Sequence, residues 1–204
     1  MRNDDHPFLD RLVTADEKWV YYNNIGREKS WCLPGQAAPT VAKKNIGSQK
    51  IMLCVWWDVA SIIHYELLPP NQTVDADLYC AQLQRVHEKI REMRSYLANR
   101  KGVVFLHDNA RPHTCGKTIK KMWELGWDVL DHPPYSPDIA PSDYHLFRKL
   151  QLSLQGTSFK KENDVKAALL RFFDSLPTDF FKSGIENLTN RWTKVVESNG
   201  AYFN

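Results

Sequence analysis

Three aspartates occupy positions from which a folded chain could bring them together. Asp16 precedes a stretch rich in β-forming residues, Asp108 ends the apolar segment VVFLHD, and Asp143 lies where a proline-rich loop runs into a helical pattern. Carboxylate oxygens are hard ligands that suit Mg²⁺ or Mn²⁺. A pair of such ions can activate water and stabilise the leaving oxygen in phosphodiester chemistry. The sequence therefore raises the hypothesis of a two-metal site that acts on phosphodiester bonds.

Each aspartate also has an ordinary structural explanation. Asp16 could be a turn residue, Asp108 could cap the helix that follows, and Asp143 could lie in a first helical turn, where the helix dipole favours a negative charge. The chain has 24 acidic residues, so spacing alone is weak support for a metal site. Two more acids near predicted strand ends, Asp58 and Glu66, are expected to be turn or surface residues. Three packed carboxylates, in contrast, repel one another and would need a cation to hold them together.

The elements that must position these residues begin with a predicted hairpin. β-Forming residues predict strands over residues 17–22, 51–57 and 62–68. Because only a short connection separates the second and third of these, we expect them to pair antiparallel. The long connection before them has no sustained apolar period, and a loop of that length inside a domain is usually functional or disordered.

The middle of the chain predicts an alternation of helix and strand. An apolar stripe at helical spacing predicts a helix over about 74–97, with Thr73 as its cap. The near-continuous apolar run 103–107 is typical of a buried strand. A helix over 114–125 and a strand over 127–131 would complete a right-handed parallel unit with it.

The C-terminal part of the chain predicts three helices. The first begins at Ser142 or Asp143, and the other two are amphipathic. Their apolar residues at helical spacing are Val165, Leu169 and Phe172 in one, and Phe181, Ile185, Leu188, Trp192 and Val195 in the other. The pattern as a whole predicts an α/β fold, in which a mixed sheet of an antiparallel hairpin plus parallel strands is flanked by helices.

Composition narrows the class of protein without identifying a partner. A chain of 204 residues with 43% hydrophobic residues can form a single domain, residues 1–204, with a sizeable core. The four cysteines form no CxxC pair, which argues against zinc-ribbon or thioredoxin-like sites and favours reduced, intracellular thiols. No apolar stretch approaches about 18 residues and the first residues lack a signal-peptide pattern, so no membrane association is expected. The net charge of +3 does not by itself mark a nucleic-acid binder.

Five segments give the aspartates a context: DEKWVYYNN, IMLCVWWD, HDNARPH, HPPYSPDIAPSDYHLF and RWTKVVESNGAYF. They resemble the catalytic domain of mariner transposases, and the resemblance runs from about Leu12 to the last residue. It implies an RNase H-like fold and cut-and-paste DNA transposition, in which bonds at transposon ends are cleaved and the 3′-hydroxyl is joined to target DNA. By motif position, Asp16, Asp108 and Asp143 correspond to a catalytic, metal-binding triad. The implied cofactor is two Mg²⁺ ions, with Mn²⁺ as a substitute and no small-molecule cofactor.

The resemblance also implies partners and a cellular location. These are DNA, as transposon ends and as target, a second copy of the chain in a homodimer, and the nucleus. The segment over about 23–50 resembles a clamp loop that reaches the partner subunit. Within it, Trp31 is expected to anchor the dimer, and Lys43 and Lys44 are expected to bind DNA.

Two residues directly after the second aspartate are further candidates for DNA binding. Asn109 and Arg111 follow Asp108 in HDNARPH. Arg111 would contact a phosphate near the metals, or alternatively would only cap local carbonyl groups. We predict both residues to lie at the DNA interface.

Four histidines surround the acidic positions: His107, His113, His132 and His145. A zinc site would be one interpretation. Because no HxH or HExxH spacing occurs among them, structural or DNA-contacting roles are favoured.

One departure from the family pattern leaves a second function open. Mariner transposases begin with helix-turn-helix domains that recognise transposon ends, and these are expected to be absent here because the chain starts shortly before Asp16. The alternative is therefore a domesticated or truncated DNA-binding or dimerisation module without catalysis. Some domesticated relatives carry Asn at the third acidic position, whereas this chain keeps Asp143. A carbohydrate hydrolase with two carboxylates is a remote third reading, because the surrounding motifs do not support it.

Overall fold

A five-stranded mixed sheet forms the centre of the computed structural model, which describes residues 8–24, 49–70 and 72–202. The strands are β1 (Leu12–Tyr21), β2 (Lys50–Trp57), β3 (Ile62–Leu68), β4 (Val104–Leu106) and β5 (Asp128–Val129). Their spatial order is β3-β2-β1-β4-β5. The first three strands pair antiparallel, and β1 with β4 and β4 with β5 pair parallel. The predicted combination of an antiparallel hairpin with parallel strands is confirmed.

Six helices flank the sheet in the described part of the chain. They are α1 (Ala76–Met93), α2 (Arg111–Thr114), α3 (Gly116–Glu124), α4 (Arg148–Leu154), α5 (Glu162–Asp174) and α6 (Thr178–Glu197). A π-helical turn, Ser142–Phe147, leads directly into α4, so the helical segment begins at Ser142 as predicted. No helix among the described residues is long and apolar enough to cross a membrane.

Helix α1 is shorter than the predicted span and has a different cap. It begins after Asp75, whose Oδ1 accepts a hydrogen bond of 2.8 Å from the backbone N–H of Leu78. The prediction that Thr73 caps the helix is therefore wrong. Both residue types favour the N-cap position. Asp75 occupies it here, with an extended backbone directly before the first helical turn.

Alternate residues of β1 face two separate cores. Leu12 and Val20 belong to a buried cluster that includes residues of α4, α5 and α6. Val13 and Ala15 belong to a second buried cluster that includes residues of α1. Successive strand side chains point to opposite faces, and each face of the sheet is covered by helices. A polar site can therefore open only where the strands end or where a helix leaves a gap.

Strand β1 starts five residues earlier than the sequence predicts. The prediction places Asp16 before a strand that starts at residue 17, whereas β1 begins at Leu12 and includes Asp16. The early residues are buried, with Thr14 only 2% exposed. They become a strand because β2 pairs with them on one side and β4 on the other. Such pairing partners are distant in sequence, so local β-propensity underestimates the strand.

Asp58 lies in a turn, which is one of the two placements predicted for it, but it is not a surface residue. It follows β2 in the turn to β3, and its side chain is 0% exposed. Arg94 Nε donates to Asp58 Oδ2 at 2.7 Å, and the backbone N–H groups of Ala60 and Ser61 donate to Asp58 Oδ1. The carboxylate is fully enclosed and held by donors from the turn and from the end of α1.

Glu66 in β3 is likewise a partner in a network rather than a free surface acid. Arg85 Nε donates to Glu66 Oε1 at 2.6 Å, and Gln82 Nε2 donates to Glu66 Oε2 at 3.1 Å. Burial alone would raise the pKa of Glu66, but hydrogen bonds from His64, Arg85 and Gln82 hold that pKa at about 2. Glu66 thus ties the outer strand of the hairpin to α1.

Candidate active site

The parallel register of β1 and β4 brings two of the three aspartates to the same level. Thr14 is paired with Leu106. Asp16 and Asp108 each lie two residues further along, in the same direction, beyond this pair. Adjacent strands run roughly 4.8 Å apart, and a step of two residues keeps a side chain on the same face. Asp16 therefore points to the face that carries α4 to α6, and Asp108, just past the end of β4, lies beside it.

The third aspartate reaches this face from the π-helical turn. This turn packs against β1. Its first residue, Ser142, is buried, and the indole N–H of Trp57 in β2 donates to Ser142 Oγ at 3.0 Å. The backbone N–H of Asp143 donates to the carbonyl of Ala140 at 3.0 Å. These bonds fix where the helical segment begins, and so fix where Asp143 is presented to the sheet.

The pKa values of Asp16 and Asp143 reflect a concentration of negative charge, whereas the pKa of Asp108 is lowered, because its burial is outweighed by hydrogen bonds from His113 and the backbone of Ala110. Burial is the largest cause that raises the pKa of Asp16 well above its usual range, followed by the neighbouring charges of Asp143, Glu17 and Asp108. Burial also raises the pKa of Asp143, and Asp108 adds to this, while the ammonium group of Lys18 opposes it. The structure therefore brings Asp16, Asp108 and Asp143 into one electrostatic neighbourhood.

The side chains of this neighbourhood are not arranged as a metal-binding site. Among the described residues, no group of three His, Cys, Asp or Glu side chains is arranged closely enough to hold an ion. The carboxylates of Asp16 and Asp108 accept hydrogen bonds from the backbone instead. The backbone N–H of Glu17 donates to Asp16 Oδ1 at 2.7 Å. Similarly, the backbone N–H of Ala110 donates to Asp108 Oδ1 at 3.0 Å. The two observations are compatible because charge interactions act over longer distances than metal coordination.

A buried histidine bridges Asp108 to a fourth carboxylate. His113 in α2 is 2% exposed, and its Nδ1 lies 2.6 Å from Asp108 Oδ1. Its Nε2 lies 3.4 Å from Glu17 Oε1. Burial alone would lower the pKa of His113, but the hydrogen bond to Asp108 and the negative charge of Glu17 raise that pKa to about 10. Both ring nitrogens can therefore donate, and the imidazolium fixes one oxygen of Asp108.

The same histidine is held in place by aromatic neighbours. Its ring stacks on that of Tyr79 in α1, with centroids 4.0 Å apart, and lies 5.1 Å from the ring of His107. The hydroxyl of Tyr79 lies 3.0 Å from His107 Nδ1. Burial, followed by the charge of His113, lowers the pKa of His107 to about 3. His107 is thus neutral, and His113 is the cation of this cluster.

Sequence reasoning did not identify the bridge between His113 and Glu17. Glu17 is adjacent to Asp16 in β1 and therefore points to the opposite face of the sheet. The sequence features that could have suggested this bridge are Glu17, on the other face of the same strand as Asp16, and His113, five residues after Asp108. Only the strand register reveals that the two meet.

The other two histidines have structural surroundings. His145 Nε2 lies 2.8 Å from the carbonyl oxygen of Phe180, and the two rings stack at 4.0 Å. A Cβ atom at Gly184 would lie 2.5 Å from the ring of His145, so the close approach of α6 requires glycine there. The carbonyl of His132 accepts a hydrogen bond from Nδ2 of Asn109. The contacts of its ring favour a structural role for His145, whereas His132 contributes its backbone carbonyl to the loop beside Asp108.

The predicted DNA-binding residues divide into two groups. Asn109 and Arg111 are both exposed next to Asp108, and Arg111 is the first residue of α2. The amide of Asn109 is engaged by His132, which fixes the loop beside Asp108. Trp31, Lys43 and Lys44, with most of the predicted clamp loop over about 23–50, lie outside the described residues.

Relatives of known identity match most or all of this chain. A family model described as "Transposase (partial DDE domain)" matches residues 21–100. The chain is 42% identical over 203 residues to the human histone-lysine N-methyltransferase SETMAR, a match that covers 100% of the chain and 30% of that protein. It is 41% identical over 196 residues to the mariner Mos1 transposase of Drosophila mauritiana, covering 96% of the chain and 57% of that protein. The chain thus spans less than two thirds of the length of these relatives.

Solved structures of Mos1 transposase share the fold. The Mos1 catalytic domain with raltegravir and Mg superposes with a TM-score of 0.84 at 37% identity, covering 99% of this chain and 90% of that one. The Mos1 paired-end complex with Mn gives a TM-score of 0.90 at 42% identity, covering 99% and 59%. The Mos1 strand transfer complex gives 0.88 at 42% identity, covering 98% and 58%. The chain therefore belongs to the mariner transposase family and has the RNase H-like fold of the catalytic domain of that family.

Proposed function

We propose that this chain is a metal-dependent DNA endonuclease and strand transferase, which cleaves phosphodiester bonds at transposon ends and joins the freed 3′-hydroxyl to target DNA. The observation that carries the proposal is the placement of Asp16 and Asp108 beside each other on neighbouring parallel strands, with Asp143 in the helical turn that packs against β1. Such crowding is unfavourable unless a cation offsets it. Membership of the mariner family supplies the reaction class.

The donor set fits a hard divalent cation. Three carboxylates contribute oxygen ligands only, which suits Mg²⁺ or Mn²⁺. In our proposal Asp16, Asp108 and Asp143 would together hold two such ions. Bound ions of this kind supply an activated water or hydroxyl and stabilise the leaving oxygen. The Mos1 structures with Mg and with Mn support the choice of metal.

The remaining residues of the site position the acids and the DNA. His113 fixes one oxygen of Asp108 at 2.6 Å, so this carboxylate is oriented before a metal arrives. Asp108 itself is half-exposed, with 48% of its side chain accessible, which leaves an approach for a phosphate. The exposed Arg111 follows in α2, and a guanidinium there can pair with a phosphate.

Partners and location follow from the same proposal. We expect the DNA partners to be transposon ends and target, and the Mos1 paired-end and strand transfer complexes support this. We also expect a homodimer in the nucleus, with Trp31, Lys43 and Lys44 in contact with the partner or with DNA. Residues 1–204 would act as one domain, because both buried clusters share strand β1.

A plasmid-nicking assay tests the proposal. The protein is expected to convert supercoiled plasmid to the nicked form with Mg²⁺ or Mn²⁺, and to be inactive with EDTA. Asp108→Ala should be inactive under all conditions while still binding DNA. A wild-type protein that binds DNA but never nicks it would instead support a non-catalytic DNA-binding or dimerisation module.

Replacing His113 with Gln is expected to slow nicking about 10- to 100-fold and to weaken Mn²⁺ binding, because residues that orient metal ligands typically have effects of that size. Glutamine cannot span both Asp108 and Glu17, so Asp108 loses its fixed orientation. Nicking rates and Mn²⁺ titration by calorimetry would measure the two effects. Tyr79→Phe is the matched control, because it keeps the stacked ring and removes only the hydroxyl bonded to His107. Equal Mn²⁺ affinity in His113→Gln and the wild type would rule out a positioning role.

A further inference from the structure

An open groove of about 370 Å³ lies between α3 and the β5 edge of the sheet. One end of the groove is formed by His107, Asn109 and His113, so it begins beside Asp108. The walls further along are apolar and include Ile119 and Trp123 of α3. Because β5 is the last strand of the described sheet, the groove is open to solvent on that side.

Helix α3 presents a second apolar face towards this groove. Its inner face is buried through Thr118 and Met122. On the outer side Trp123 is 79% exposed and Ile119 is 55% exposed. Residues four apart lie on the same face of a helix, so the two side chains form one apolar ledge. Val129 of β5, 41% exposed, continues it across the groove. No described residue covers this ledge.

Polar groups at the groove are suited to the edge of a nucleobase. Asp131 and His132 line it together with Asn109. A carboxylate can accept a hydrogen bond from the exocyclic amino group of cytosine or adenine. A planar aromatic surface beside such an acceptor is the combination that binds a base by stacking and by its hydrogen-bonding edge. A purely apolar partner would leave Asp131 without a donor.

A positive charge lies near the end of the groove that begins beside Asp108. Arg111, the first residue of α2, is exposed there, and a guanidinium can pair with a phosphate. Lys117 and Lys120 of α3 are also exposed, at 61% and 75% of their side chains, but they lie on the side of α3 that faces α1. The phosphate next to a base in the groove can therefore contact Arg111, and the strand can continue towards the aspartates.

We propose that this groove binds an unpaired nucleobase of the DNA strand that is processed at Asp108, with Trp123 as the stacking surface and Asp131 as the acceptor for an amino group. The inference rests on the proposed function, since it assumes that a DNA strand lies at the aspartates. A groove of this volume is at the lower end of the range for small-ligand sites, so it accommodates a single base and excludes a duplex.

Titration of fluorescein-labelled single-stranded DNA without metal tests the site, with Trp123→Ala compared with Trp123→Phe. Loss of one stacked base typically weakens binding about 5- to 100-fold. Trp123→Ala is expected to lose that much affinity for the single strand and less than twofold for a duplex of the same sequence. Trp123→Phe should retain most of the affinity for the single strand. Leu152→Ala is the matched control, because Leu152 is 62% exposed on α4 and lies outside the groove.

A second measurement addresses base choice and a competing occupant. Asp131→Asn should reduce the preference for cytosine- or adenine-containing strands over oligo-thymidine. Unchanged single-strand affinity in Trp123→Ala would overturn the proposal, and so would a change in sedimenting mass, which would mean that a second copy of the chain covers the ledge. Failure of the proposed function is distinguishable, because it would appear as absent nicking by the wild-type protein while the effect of Trp123 on single-strand binding remained.

Discussion

Replacing Asp16 with Asn is expected to abolish DNA cleavage and, at the same time, to make the metal-free protein more stable. Loss of a shared metal ligand removes several kcal/mol of transition-state stabilisation, which corresponds to a rate decrease of about 10³-fold or more. The gain in stability has a separate cause. Burial and the charges of Asp143, Glu17 and Asp108 disfavour the ionised Asp16. A neutral amide of the same shape removes that repulsion.

The sign of the pH dependence follows from the raised pKa of Asp16. Between the usual aspartate pKa and the raised value, the folded protein binds more protons than the unfolded chain. The stability of the metal-free wild type therefore falls as pH rises through this window. Asp16→Asn should flatten that decrease. Thermal melts in EDTA over a series of pH values would measure it.

Bound metal should offset the destabilisation caused by the ionised Asp16, and it should do so in the wild type only. At a hundredfold excess over its Kd, a bound ion adds about 2.7 kcal/mol, or roughly 5–10 °C in Tm for a chain of this size. Asp16→Asn should show little of this shift. Asp174→Asn is the matched control, because Asp174 is an exposed acid at the end of α5 and should leave the metal response intact. An equal shift in Asp16→Asn would place the ions elsewhere.

The parts of the fold that depend on local pattern were predictable from the sequence. The hairpin of β2 and β3 follows from two runs of β-forming residues separated by a short turn. The stripe of α1 and the apolar run of β4 likewise have periods that can be read directly. What the pattern could not supply was the first half of β1. Thr14 and Asp16 interrupt its apolar run, and pairing with β2 and β4 makes it a strand.

The residues of the site also differ in whether a local sequence pattern could identify them. The three aspartates could be identified because long motifs surround them. The bridge from Asp108 through His113 to Glu17 depends on strand register and on the position of α2, neither of which a linear motif encodes. The turn position of Asp58 was among the predicted placements, but its complete burial could not be predicted, for a related reason. Its partner Arg94 is distant in sequence, so no residue near Asp58 indicates that it forms a buried ion pair.

Replacing Arg94 with Met is therefore expected to destabilise the protein strongly, although neither residue of the pair belongs to the candidate active site. The Asp58 side chain is 0% exposed and that of Arg94 is 12% exposed. Removal of one partner from a buried ion pair leaves an uncompensated charge and typically costs about 3–5 kcal/mol. For a domain of this size, such a loss lowers Tm by roughly 10 °C. Urea denaturation and thermal melts would measure it.

Two further variants separate the buried charge from the loss of an arginine as such. Lys166→Met removes a pair with Glu162 that is exposed on α5, and it should cost no more than about 0.5 kcal/mol. Combining Arg94→Met with Asp58→Asn should recover part of the loss, because an amide oxygen can still accept from Ala60 and Ser61 without a buried charge. If the double variant were less stable than Arg94→Met alone, the packing of the arginine rather than its charge would hold this turn.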